Sequence, residues 1–214
     1  RPSVRLAIRL LARQGILLRG TGLGYIVQSP TVSDIKQAVL VRGHLESLAA
    51  RLIAQSTERE EACNKLQNVI DEIERLINIG KINDQTCKDM QQYNATFHQT
   101  ILEGCGNDFV GFTCNRLNHL PMLEVGSMAF DQTTIKTKIG MERTFFRLRL
   151  GNAQHKVICE AIKTGDSVRA EGMMREHSNT MIEYIELFEK RHDELSLTDL
   201  ISYSGFNLAT ETPN

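Results

Sequence analysis

Asn94 and His98 lie one helical turn apart in a stretch where Met90, Asn94, His98 and Leu102 recur every fourth residue, so two polar groups occupy positions that packing alone would give to leucine. His155 heads a second apolar stripe continued by Ile158, Cys159 and Ile162. His177 interrupts a third, made of Ala170, Met173, Met174, Met181, Tyr184, Ile185 and Phe188. One amide oxygen and three imidazoles form a donor set for a divalent cation of borderline softness. For any one of these histidines alone a hydrogen-bonded core residue is the simpler account; their joint placement favours a ligand set. An open metal position also suits water activation, which makes a metal-dependent hydrolase or oxidase the alternative. Against it, no His-Glu-x-x-His occurs, the sole Glu-x-x-His is Glu189 to His192, and a di-iron bundle requires two such pairs. Glu176 adjoins His177 but projects about 100° away around the helix, so no base stands beside the cluster, and no enzymatic activity is expected. A helical dimerisation module with unrelated histidines is the third reading.

The elements that position these residues follow from turn signals and periodicity. A chain reversal at Thr164-Gly165-Asp166 puts His155 and His177 each 11 residues from the turn. At about 1.5 Å per residue both fall roughly 16 Å from its tip, at one height in two antiparallel helices. Upstream, a helix is expected over 34–55, then a second opened by a Thr57/Glu60 capping box and ended by Gly80. A third runs between Asn83 and Gly104, and a fourth starts past Gly106-Asn107 and reaches towards Pro121. From Phe130 to Leu150 the pattern decides nothing. Residues 34–192 therefore read as an all-α antiparallel helical bundle, 29–33 as a linker and 193–214 as a polar tail.

The first 28 residues are different in kind. They hold five arginines and no acid, +5, whereas the remainder carries −6 and the whole chain −1. A cationic head on an acidic body suits nucleic acid, because phosphate neutralisation depends on local charge; a solvated basic helix is the plainer account. Between Ser3 and Gln14 the residues Val4, Ala7, Ile8, Leu10 and Leu11 keep helical spacing and should pack, while Arg1, Arg5, Arg9 and Arg13 line the other face. Gly15 stands at the helix end. Ile16-Leu17-Leu18 and Tyr25-Ile26-Val27 then flank Gly20, Gly22 and Gly24, which permit a hairpin with positive φ. A helix followed by a small β-hairpin wing is the C-terminal part of a winged helix-turn-helix, whose DNA contacts would come from Arg1, Ser3, Arg5, Arg9, Thr21 and Gly22.

The run from Arg1 to Ile16, with Gly22-Leu23-Gly24-Tyr25-Ile26-Val27, resembles the end of the DNA-binding domain of GntR-type bacterial transcription regulators. That resemblance implies about two further helices upstream, and the chain starts at Arg1 without a methionine. Tyr93-Asn94-Ala95-Thr96-Phe97-His98, Gly106-Asn107, His155, the turn at 161–166 and His177 are similar to the FCD effector domain of the FadR subgroup. Val41-Arg42-Gly43-His44-Leu45-Glu46, with Ala49 and Ala50, is similar to that domain's opening helix. The family implies a divalent metal, zinc or nickel, held by Asn94, His98, His155 and His177, with Asn94 where an Asp is commoner. It also implies a small organic carboxylate effector, for which Arg42, Arg147 and Arg149 are candidate guanidinium forks and His44 a lining residue. Further expectations are a homodimer on a two-fold operator in double-stranded DNA, and repression relieved by the acid.

Composition agrees with an ordinary globular protein: 41% apolar, 24% charged, mean hydropathy −0.25. No run approaches the length of a membrane span. Cys63, Cys87, Cys105, Cys114 and Cys159 are odd in number and scattered, which disfavours a disulfide framework and points to a reducing cytoplasm. His119 and His192 read as structural or solvated.

Overall fold

The computed structural model describes residues 2–13, 17–22, 24–27, 30–118, 120, 123 and 136–189. In the head, α1 (Pro2–Arg13) opens on a proline whose fixed φ suits a first helical turn. It leads into β1 (Leu17–Arg19) and β2 (Tyr25–Val27), which pair antiparallel with Leu17 opposite Val27, Leu18 opposite Ile26 and Arg19 opposite Tyr25. The hairpin forms by a different route from the one expected. Gly20, Gly22 and Gly24 take no left-handed φ; instead Gly20 N–H donates to the Gly24 carbonyl at 3.0 Å, an approach that a small residue favours. A second correction concerns the apolar stripe of α1, none of whose residues is buried: Val4 and Leu10 are half exposed or more and Leu11 is exposed, and among the described residues α1 packs chiefly along β1. Ser3, Arg5, Arg9, Thr21 and Gly22 are all exposed, while Arg1 and Gly15 lie outside the described residues.

The body is built from α2 (Val32–Gln55), α3 (Arg59–Ile79), α4 (Asp84–Gly104), α5 (Asp108–Asn115), α6 (Lys138–Thr164) and α7 (Ser167–Glu189). Helix α2 starts two residues earlier than expected because Thr31 is its cap: its hydroxyl accepts from Asp34 N–H at 3.1 Å and the Asp34 carboxylate accepts from Thr31 N–H at 2.8 Å. The Thr57/Glu60 box is not formed. Glu58 N–H is satisfied by the Ser56 hydroxyl at 3.1 Å, and α3 begins with no side-chain cap. Asn83 and Thr86 form the reciprocal box of α4, and Asn107 caps α5, which ends at Asn115, well before Pro121. Helix α6 extends back to Lys138 through the stretch left open by its pattern, since Phe145 and Leu148 give it a buried face there. Gly165 ends it at φ 76°, a left-handed cap favoured by glycine, and Asp166 N–H donates back to the Ala161 carbonyl at 2.9 Å.

The core lies where α2, α3, α4, α6 and α7 meet, on Ala49, Ala50 and Ile53 of α2, Leu66 and Ile70 of α3, Phe97 and Ile101 of α4, Ile158 and Ile162 of α6, and Met174 of α7. Each large apolar side chain removed from water there contributes about 1.5–3 kcal/mol. The small residues of α2 let α7 approach closely. A Cβ on Gly43 would stand 2.6 Å from the Ser178 Cβ. Among the described residues no helix is long and apolar enough to cross a membrane. All five cysteines are buried free thiols.

Candidate metal and effector site

The α6–α7 turn brings His155 and His177 to one height, with their Nε2 atoms 3.2 Å apart. Helix α4 adds His98, whose ring centre lies 5.3 Å from that of His177 and 5.8 Å from that of His155. One ligand atom from each of the three lies within 4.8 Å of the others. Asn94, one turn before His98, lines the same cavity and is 6% exposed. Two nitrogens bonded to one ion at about 2.0–2.1 Å cannot be more than about 4.2 Å apart, and the His155–His177 pair meets that condition.

Protonation follows from the partners. The Gln154 amide oxygen lies 2.9 Å from His177 Nδ1 and can only accept, so that nitrogen carries the proton and Nε2 presents a lone pair. The Gln154 amide in turn donates to the Thr180 hydroxyl at 3.2 Å. Burial, reinforced by His98, pushes His177 down to about 3, an effect that Glu46 only partly offsets. Burial likewise pushes His155 well below its ordinary value, with His177 and His98 adding to it. Both rings are therefore neutral at physiological pH, the form that ligates a metal. His155 is stacked on Phe97 at 3.9 Å between ring centres, and its buried Nδ1 has no hydrogen-bond partner.

Beside the imidazoles lies a buried ion pair. Arg42 Nε stands 3.3 Å from Glu46 Oε1, and Arg42 Nη2 donates to Asn118 Oδ1 at 2.9 Å. Its Nη1 is buried without a partner, on a residue that lines the cavity. Burial pushes the Glu46 carboxyl up, but His98 and Arg42 together hold it below the usual carboxylate range. The cavity of ≈ 130 Å³ is walled by Val39, Ile73, Met90, Leu123 and Met181, with Glu46 its only carboxylate among the described residues. Arg147 also lines it, its guanidinium carbon 3.4 Å over the Tyr184 ring.

Two expected lining residues are elsewhere. His44 is exposed on the outer face of α2, its Nδ1 2.8 Å from the Leu40 carbonyl, and Arg149 is exposed near Phe145. Each sits one or two positions from a lining residue, and a helix turns by about 100° per residue, which carries it off the cavity face. His119 and His192 lie outside the described residues, as does the Phe188 side chain. Glu46, Asn152, Gln154 and Ser178 line the cavity and were not singled out from the sequence. Glu46 had a readable signal, a charge three, four and seven residues before the apolar positions Ala49, Ala50 and Ile53.

The helical body carries an imidazole cluster in its core and follows a helix and a hairpin in the chain. The chain belongs to the FCD domain family, which matches residues 37–180. It is 26% identical over 120 residues to a Bacillus subtilis (strain 168) protein described as the uncharacterized HTH-type transcriptional regulator YdhC, covering 56% of this chain. It spans about half of that relative, 51% of its length. Among solved structures it resembles E. coli McbR/YncC, with a TM-score of 0.59 at 14% identity over 88% of this chain and 80% of the other. It also resembles Lar, described as controlling expression of the Listeria monocytogenes agr system, with a TM-score of 0.50 at 14% identity over 87% and 78% of the two chains. These two likenesses are of fold. The solved structures support the mostly helical architecture with a small antiparallel hairpin, and the Bacillus subtilis relative is described as a transcriptional regulator.

Proposed function

We propose that this chain is part of a GntR-type transcription regulator of the FadR subgroup, with residues 1–28 ending a winged helix-turn-helix and 34–192 forming the effector-binding domain. The observation that carries the ligand-binding half of the reading is the gathering of His98, His155 and His177 at a buried cavity, with one ligand atom from each within 4.8 Å of the others. These three with Asn94 are a donor set for a divalent ion, zinc or nickel, and the neutral state of His155 and His177 supports it. When bound, the ion supplies open coordination positions for a carboxylate oxygen.

The protein's own groups do the rest. Arg42 presents a buried, unpartnered Nη1 to an anion, and Arg147 adds a second guanidinium on its Tyr184 platform. Val39, Ile73, Met90, Leu123 and Met181 exclude water from the acid's apolar body. Helix α2, which carries Arg42, follows the hairpin closely in the chain, so an acid that favours one arrangement of α2 shifts the population of DNA-binding states. A homodimer on a two-fold operator fits a reading helix as short as α1. Repression relieved by the acid is the expected sign.

The test is a thermal-shift screen of small carboxylic acids on the wild-type chain and on His98→Ala, each with zinc and with chelator. A ligand of the folded state raises the melting temperature by mass action, about 2.7 kcal/mol at a hundredfold excess over Kd. The wild type should respond to an acid only with zinc present, and His98→Ala should bind less zinc and lose that response. Equal zinc content in the two proteins would sink the site.

A further inference from the structure

Glu46 is a carboxylate in the apolar stripe of α2, and its side chain is 6% exposed. Burying a carboxylate costs several kcal/mol unless it is paired, so its partners say what it is for. One oxygen, Oε1, stands 3.3 Å from Arg42 Nε, one turn earlier on the same helix. The other, Oε2, stands 3.2 Å from Nδ1 of His98, on α4. All three side chains are no more than 7% exposed. A carboxylate needed only to neutralise Arg42 could have turned both oxygens to the guanidinium fork.

We propose that Glu46 is the positioning residue of His98: it accepts the Nδ1 proton, fixes the ring, and leaves Nε2 as the nitrogen that faces His155 and His177, while Arg42 holds Glu46 in turn. The inference rests on the reading of the imidazole cluster as a cation site. It assigns to Glu46 on α2 the part that Gln154 plays for His177 from α6. Orienting partners of this kind set the tautomer of a metal-ligating histidine and raise its basicity. Arg42 Nε, Glu46 Oε1 and His98 Nδ1 make close contacts that do not meet hydrogen-bond geometry, so the chain Arg42–Glu46–His98 can tighten into hydrogen bonds when the cavity is filled. The same chain runs on to Asn118, and so ties the site to the segment just past α5.

The experiment has two arms. Imidazole 15N–1H correlation spectra of the metal-free wild-type chain, at mildly alkaline pH, read the His98 tautomer without any substitution; the proton should sit on Nδ1. Zinc titration against a competing chelator then compares the wild type with Glu46→Gln, which keeps the shape and removes the charge. The expected loss is on the order of 10–100-fold in zinc affinity, with unchanged helical circular dichroism. A proton on Nε2 of His98 in the wild type, or undiminished zinc affinity in folded Glu46→Gln, overturns the proposal. If Glu46→Gln does not fold, the wild-type tautomer alone decides. If the wild type binds no zinc, the cation site reading fails, and the tautomer still decides whether Glu46 orients His98.

Discussion

Asn94 is the residue at which small chemistry has the largest expected consequence. Its amide oxygen is a neutral donor, so three imidazoles and an amide leave a divalent ion with its full charge. Asn94→Asp adds a formal negative charge at nearly constant volume, in a cavity whose one carboxylate among the described residues is already engaged by Arg42 and His98. Zinc affinity should rise by on the order of tenfold, about 1.4 kcal/mol, and affinity for a carboxylate probe such as acetate should fall at saturating zinc. Competitive chelator titration and acetate thermal shifts measure the two; movement of both in the same direction would contradict this account. The histidines were legible because each interrupts an apolar stripe, and a stripe fixes which way a side chain faces. His44 and Arg149 were misplaced for the same reason in reverse: being beside a stripe is not being in it. Glu46 was passed over although it stands in register with Ala49, Ala50 and Ile53, since its meaning depends on His98, 52 residues away in sequence.

At the scale of elements, local rules located most helix ends, and the exceptions have local causes. Asn83, Asn107 and Gly165 act as expected, whereas the start of α3 is settled by Ser56, not by Thr57, because the Ser56 hydroxyl reaches Glu58 N–H first. What no local rule supplies is how close two helices come. The contact of α2 with α7 depends on Gly43, where an added Cβ would meet the Ser178 Cβ at 2.6 Å. Ser178 follows His177, so pushing these helices apart moves a proposed ligand as well as the core. Gly43→Ala should therefore cost about 1–3 kcal/mol in stability and weaken zinc binding. Gly172, on the exposed face of α7, has nothing within 4 Å of a built Cβ, and Gly172→Ala should instead stabilise by about 0.5–1 kcal/mol through helix propensity alone. Opposite shifts in chemical denaturation midpoint check both. A Gly43→Ala protein as stable as the wild type would mean that the close approach is not what holds α7 in place.

For the molecule as a whole, the buried histidines tie folding to pH. In the metal-free protein His177 is held at about 3 against an ordinary 6.5, so between these values the unfolded chain binds a proton that the folded one refuses. Stability therefore rises with pH across that window, is fully present above 6.5, and is lost progressively as pH falls towards 3. His155, also displaced downward, acts in the same direction. Glu46 adds to it at lower pH: its carboxyl is depressed below 4.5, so its contribution is present above that value and is lost as pH falls through its folded pKa. None of these works against the others, and the melting temperature of the chelator-treated chain should decline steadily from about pH 7 to about pH 5. Substituting His177→Gln, which removes one titrating group but keeps a polar side chain, should flatten that decline. With zinc bound the decline should be steeper, because protons compete directly with the ion for His98, His155 and His177. A melting temperature that holds constant or climbs on acidification would mean that these rings carry their protons in the folded state, and a ring protonated there has no lone pair to offer a cation.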